Sequence, residues 1–279
     1  MLKIAVPNKG SLSETAAQML AEAGYHGRRD PRELVTQDPK NDVEFFYLRP
    51  RDIATYVGSG ALDIGITGRD LLLDSESTAT EIAELNFGES TFRFAAPPKT
   101  FDSLSQLQGR RVATSYPGLV AAFLARSNVT ATLVKLDGAV ESAVRLGVAD
   151  AVADVVSTGS TLRKAGLEIF GPVILESTAV LISSGVQKPG AETLQRRLQG
   201  VLVARQYVLM DYDVPRALLD AAAALTPGIE SPTISPLADP DWVAVRAMVP
   251  RLDMNLVMDA LWEVGARAIL VSPIHAVRM

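Results

Sequence analysis

Asp154 is the one polar residue in the apolar run Ala151 to Val156, and that run leads directly into Ser157, Thr158, Gly159, Ser160, Thr161 and Leu162. A run without alternating polarity reads as a strand covered on both faces, as in parallel sheets under helices. The turn after it supplies hydroxyls and backbone N–H groups where the next helix begins. Gly159 lets the backbone approach an anion, and the unpaired N–H groups and dipole of a helix start favour negative charge. A phosphate monoester fits such a turn. Asp154 beside it would repel a second phosphate but accept hydrogen bonds from sugar hydroxyls, so the pair reads as a site for a phosphorylated ribose. The plainer alternative is that the turn is only a helix cap, a common device between strand and helix.

The rest of the composition narrows the chemistry. The formal net charge is -5, which argues against a general nucleic-acid surface and means that positive potential for a polyphosphate must be local. Lys9, Arg49, Arg51 and Arg69, each beside a Gly or Pro loop, are the candidates. There is no cysteine, and His26 and His275 are isolated, which excludes disulfides, thiolate metal sites and a histidine-rich metal centre. No Walker A run and no Gly-x-Gly-x-x-Gly occurs, so phosphoryl transfer and dinucleotide redox chemistry fall behind. No apolar stretch approaches the roughly 20 residues that span a bilayer. The opening MLKIAVPNKG reads as a strand and a polar loop instead of an export signal, so a cytoplasmic chain is expected.

These residues must be positioned by the elements around them. At 279 residues and 48% apolar, the chain has room for about two domains. Leu2 to Val6, Val43 to Leu48, Ala61 to Ile66, Phe92 to Ala96, Arg111 to Thr114, Thr132 to Leu136 and Ala151 to Val156 read as strands, with helices between most of them. Ser11 and Glu14 read as a capping box opening the first helix. The alternation predicts mainly parallel sheets in two lobes. Pro97-Pro98 marks the expected crossing into the second lobe, and Val173 to Ile182 the return. After about Arg205 the order becomes βαββαβ, a ferredoxin-like unit, with Met254, Val257, Met258, Leu261 and Trp262 on one helix face as its core stripe.

The pattern from Glu141 through Gly147, Ala149, Val152, Asp154, Val155, Thr158, Gly159, Thr161 and Leu162 resembles, position for position, the signature of ATP phosphoribosyltransferases, which open histidine biosynthesis. AVPNKGSLSE, FFYLRPRDIATYVGSGALDIGITGRDLL and LTPGIESPTISPLADPDWVAVRAMVP resemble the same family, so the resemblance covers essentially the whole chain. It implies an α/β fold with a bilobal catalytic part like periplasmic solute-binding proteins and a C-terminal regulatory domain of the long form. The implied lobes are residues 1–95 with 183–205, and 96–182; the regulatory domain is 206–279.

The resemblance also implies the reaction, which joins C1 of 5-phosphoribosyl diphosphate to N1 of ATP and expels pyrophosphate with no covalent enzyme intermediate. Lys9, Arg49 and Glu141 would be catalytic; Asp70 and Tyr116 would line the nucleotide side; Asp154 and residues 157–162 would hold the phosphoribosyl group. Magnesium would travel with the pyrophosphate, its protein ligands unknown. Histidine would bind at Asp213, Thr233 and Ala268 as inhibitor, in a homo-oligomer between dimer and hexamer.

Each residue has a plainer role to weigh. Glu141 stands four before Arg145, the spacing of a helical ion pair. Asp70 and Asp213 could cap helices, and Tyr116 before Pro117 could be a buried turn aromatic. Two rival functions stay open. One is a non-catalytic bilobal small-molecule-binding protein. The other is a phosphoribosyltransferase of the commoner type, although its loop usually follows two adjacent acids and Asp154 stands between Ala153 and Val155.

Overall fold

The computed structural model describes residues 1–157, 159–186 and 188–278. Contacts divide the chain into two units, Met1–Ala21 with Tyr25–Glu192 and Glu22–Gly24 with Thr193–Met279. In the first unit the chain runs β1 (Leu2–Pro7), α1 (Ser13–Glu22), β2 (Val35–Asp38), β3 (Val43–Leu48), α2 (Pro50–Gly58), β4 (Ile64–Gly68), α3 (Arg69–Asp74) and β5 (Thr80–Glu84). It continues through β6 (Ser90–Ala96), β7 (Arg111–Thr114), α4 (Pro117–Arg126), β8 (Thr132–Lys135), α5 (Ser142–Arg145), β9 (Ala151–Val156), α6 (Ser160–Lys164), β10 (Glu168–Ser177) and β11 (Ala179–Ser183). One sheet has the order β2-β3-β1-β4-β11-β5 and the other β10-β6-β9-β7-β8. These are the two lobes.

Burial explains why these segments take these forms. Ile4, Ala5 and Val6 of β1 and Ala151, Val152 and Ala153 of β9 are fully covered, as central strands with apolar runs should be. α2 starts with Pro50 at its first position and sinks Ile53, Ala54 and Val57 against the first sheet. The second sheet is closed by Phe92, Phe94, Val112, Leu119, Val120 and Phe170.

Three expectations are corrected. The sheets are mixed, not mainly parallel: β1 runs parallel to β3 and β4, and β7 to β8 and β9, but every pairing made by β2, β6, β10 or β11 is antiparallel. The crossing between lobes does not fall at Pro97-Pro98, because β6 already lies in the second sheet. The chain crosses between β5 and β6, where Asn86 and Gly88 take left-handed φ values of 52° and 68°, and returns at Thr178. The two crossings are stitched together, with the Thr178 hydroxyl donating to the Phe87 carbonyl at 3.0 Å and the Ala179 N–H to the same carbonyl at 2.8 Å. Lastly, α1 opens at Ser13, whose hydroxyl donates to the Pro7 carbonyl at 3.0 Å, two residues beyond the Ser11 start expected of a capping box.

The second unit contains nearly all of α7 (Ala191–Gln206), then β12 (Tyr207–Pro215), α8 (Leu219–Leu225), β13 (Thr233–Pro236), β14 (Trp242–Pro250), α9 (Met254–Val264) and β15 (Arg267–Pro273). Its sheet, ordered β13-β14-β12-β15 and antiparallel throughout, is the expected ferredoxin-like βαββαβ arrangement. Met254, Val257, Met258 and Leu261 pack onto it. Trp262 does not: it is 55% exposed, with the Arg267 guanidinium 4.0 Å above its ring.

Candidate active site

β9 lies between β6 and β7 in the second sheet, and this central position fixes where its last residues point. Gly159 takes φ 68° and ψ 8° at the start of α6, a left-handed conformation that a side chain would strain. A Cβ there would also meet Arg163 Nη1 at 3.1 Å. Val155, Ser157, Gly159, Ser160 and Thr161 line a concavity of about 200 Å³. Ser157, Ser160 and Thr161 are exposed to it, whereas the Leu162 side chain is buried with Val156 and Leu167. Leu162 thus anchors the loop, and only its backbone is left to face a ligand. Thr158 lies outside the described residues.

Asp154 stands half-buried at the head of this loop. Burial raises its pKa; the Val155 N–H, which donates to its Oδ1 at 2.8 Å, opposes that rise, and the charges of Glu141 and Asp70 add to it. Glu141 therefore acts within the electrostatic reach of Asp154. It forms no ion pair with Arg145 among the described residues, so the plainer helical-pair role is not the one it takes.

The facing wall is built by both lobes, Asp70 from the first and Ser177 and Tyr116 from the second. Asp70 is in the first turn of α3, but Gly68 is the cap and Asp70 instead accepts the Ser177 hydroxyl at 2.8 Å. The Asp70 N–H donates back to that hydroxyl at 3.1 Å. Tyr116, at the start of α4, hydrogen-bonds to Asp70; burial first, then the Asp70 charge, pushes its phenol well above the ordinary tyrosine range. Its ring meets Phe92 edge-on, 5.0 Å between centroids at 73°, and lies 4.6 Å beneath the Arg51 guanidinium. Asp70 and Tyr116 are thus brought together, as expected of one wall. Ser177 was invisible in the sequence: it is 107 residues from Asp70 and carries no motif.

The cations divide. Lys9 follows β1 and Arg49 precedes α2; both are exposed, and neither enters an ion pair among the described residues. Arg69 is engaged by Glu81 at 2.7 Å and Glu84 at 3.2 Å, which holds its charge in place. Arg51 pairs with Asp74 at 2.7 Å. A larger concavity of about 580 Å³ runs from Arg69, Glu89 and Glu176 past Ser177 to Val156 and Ser157, joining the start of β6 and the end of β10 to the phosphate loop. No group of three or more acidic or histidine side chains that could cage a metal occurs among the described residues.

In the second unit Asp213 lies within β12, not after it, and the helical turn that follows has no side-chain cap. Asp213 pairs with Arg267 where the β12–β15 register shifts, and Ala268 takes φ 49° beside it. Thr233 sits on β13 at the opposite edge, aligned through Arg246 with Asp211. The sheet therefore brings Asp213 and Ala268 together and leaves Thr233 three strand spacings from Ala268, roughly 14 Å.

The family profile described as ATP phosphoribosyltransferase matches residues 49–200, and that described as HisG, C-terminal domain, matches residues 204–276. Proteins named ATP phosphoribosyltransferase from Arthrobacter sp. (strain FB24) and Pseudarthrobacter chlorophenolicus are 63% and 64% identical, each over 100% of both chains. A solved structure titled ATP phosphoribosyl transferase (HisG:HisZ) complex from Thermotoga maritima matches with TM-score 0.64 and 26% identity, covering 72% of this chain and 98% of that one.

Proposed function

The chain belongs to the ATP phosphoribosyltransferase family, and from that premise we propose how its residues divide the work. The activity is transfer of the phosphoribosyl group of 5-phosphoribosyl diphosphate to N1 of ATP, the first step of histidine biosynthesis. The observation that carries our assignment is Asp154 and the glycine-started loop after it, facing a wall made by Asp70 of the other lobe and Tyr116 of its own.

The loop holds the 5-phosphate through backbone N–H groups after Gly159 and the hydroxyls of Ser157, Ser160 and Thr161. Asp154 accepts the ribose hydroxyls, and among the described residues it enters no ion pair that would compete with them. Glu141 adds negative charge on the same side, where a sugar carbon becoming cationic in the transition state would be stabilised. Asp70 and Tyr116 orient the adenine-bearing substrate, so that N1 approaches C1 from the side opposite the leaving pyrophosphate. Lys9 and Arg49 meet pyrophosphate or triphosphate oxygens. Magnesium fits as an ion carried in by the pyrophosphate, whose charge it neutralises, because the described residues offer no three-ligand cage.

Histidine is the proposed inhibitor of the C-terminal unit. A single histidine cannot reach both Ala268 and Thr233 in one sheet, which favours a pocket completed between two copies in a homo-oligomer. No helix among the described residues is long and apolar enough to cross a membrane, and a cytoplasmic location fits the chemistry. The reaction is tested by mixing the protein with ATP, 5-phosphoribosyl diphosphate and magnesium. A new adenine-ring absorbance should rise with released pyrophosphate; pyrophosphate released without ATP, or no absorbance change, would refute it.

A further inference from the structure

Asp74 ends α3 in the first lobe, yet its carboxylate is engaged by the second. Oδ1 accepts the backbone N–H groups of Gly118 at 2.9 Å and Leu119 at 3.2 Å, and Oδ2 accepts Arg51 Nη1 at 2.7 Å. The side chain is only 8% exposed. α4 needs such a partner, because Tyr116 at its cap position makes no side-chain cap bond and Pro117 carries no N–H. The two helices also touch backbone to backbone. A Cβ on Gly118 would fall 2.6 Å from the Asp74 carbonyl oxygen and 3.1 Å from Glu76 Oε1. Gly118 is there for space, and the spacing is set to admit no side chain.

We propose that Asp74 is a positioning residue for phosphoribosyl transfer: by capping α4 from the opposite lobe and holding Arg51 over the Tyr116 ring, it fixes the lobe separation and the placement of Tyr116. The inference rests on the reading that Asp70 and Tyr116 face the nucleotide while the loop after Asp154 holds the phosphoribosyl group. Tyr116 is bounded by Phe92, Asp70 and Arg51, and Arg51 owes its place to Asp74. Losing the carboxylate would free two N–H groups and Arg51 together. Asp70, carried by the first lobe, would then shift relative to the phosphate loop and the Tyr116 ring would lose its Arg51 cover, while the loop residues on β9 and α6 keep their geometry. Two large substrates held in line are sensitive to such a shift.

The test uses the full chain with Asp74→Ala, Asp74→Asn and Gly118→Ala. Asp74→Ala should lower kcat/KM for ATP roughly 10- to 100-fold while calorimetric affinity for 5-phosphoribosyl diphosphate stays within about twofold. Hydrogen exchange at the Gly118 and Leu119 amides should accelerate. Asp74→Asn, which keeps an acceptor but loses the charge toward Arg51, should fall between, and Gly118→Ala should reproduce the kinetic loss with the carboxylate intact. The proposal is overturned if Gly118→Ala and Asp74→Asn retain parental kcat and ATP KM, even with a lower melting temperature, or if affinity for 5-phosphoribosyl diphosphate drops in step with that for ATP. A parent protein that joins no phosphoribosyl group to ATP would refute the reaction itself before any variant is compared.

Discussion

At the scale of single residues, the phosphate loop was legible because its parts are contiguous: Asp154, Gly159 and Thr161 carry their chemistry within eight positions of one another. The opposite wall was not, since the Ser177–Asp70 bond joins residues 107 apart and Asp74 caps a helix 44 residues further on. Two predictions belong here. Thr161→Ala removes an exposed hydroxyl expected on a phosphate oxygen, and a hydrogen bond to a charged group contributes about 1.5–3 kcal/mol. Calorimetry should show 5-phosphoribosyl diphosphate binding roughly 10- to 150-fold more weakly in a folded variant. Asp154 has its pKa raised by burial, so its carboxylate costs stability once ionised. That cost is absent at pH below the unfolded value and grows as pH rises through the folded pKa. Asp154→Asn should therefore melt higher than the parent at pH 7, lose that advantage as pH falls through the carboxylate range, and bind the sugar phosphate poorly. Thermal melts across that pH range decide it; an advantage that persists in acid would contradict the electrostatic cause.

At the scale of elements, strands with apolar faces were readable, and β3, β7 and β9 fall where their sequences place them. β2 and β5, with the sequences VTQD and TEIAE, escaped because they are short, polar and largely exposed, so no periodicity betrays them. Missing β5 displaced the expected lobe crossing. Trp262 left the helix stripe because Arg267 offers its ring a cationic partner outside the core. Helix α6 permits a controlled prediction, since left-handed glycines bracket it: Gly159 at φ 68° before it and Gly166 at φ 73° after it. Replacing either with alanine imposes left-handed strain of about 1–2 kcal/mol, and melting should drop by roughly 2–4 °C per kcal/mol in both. Only Gly159→Ala should also weaken 5-phosphoribosyl diphosphate, because only that backbone faces the phosphate. Equal binding losses in the two variants would mean that the loop is sensed through stability alone.

At the scale of the whole molecule, the change of pattern after Arg205 announced a ferredoxin-like unit, and its strand order is the expected one. What the sequence could not convey is that Asp213 and Thr233, both on strands of one small sheet, stand apart, because register and strand order are settled by tertiary pairing. That separation yields the last prediction. If histidine is held by Asp213 and Ala268 of one copy and Thr233 of another, Asp213→Ala and Thr233→Ala should each abolish inhibition while leaving uninhibited turnover nearly intact. Ala268→Leu should do likewise by filling the space beside Asp213. The coupling lost would be about 1–3 kcal/mol between two distinct sites, seen as a turnover rate that no longer falls with added histidine. Mixing the Asp213→Ala and Thr233→Ala proteins under conditions that let subunits exchange creates some interfaces with both residues intact. Such a mixture should regain part of its histidine sensitivity, whereas a pocket built within one chain would stay insensitive whatever the mixing ratio. Steady-state rates with and without histidine, measured before and after exchange, distinguish the two arrangements. Full sensitivity in either single variant would remove histidine from this sheet altogether.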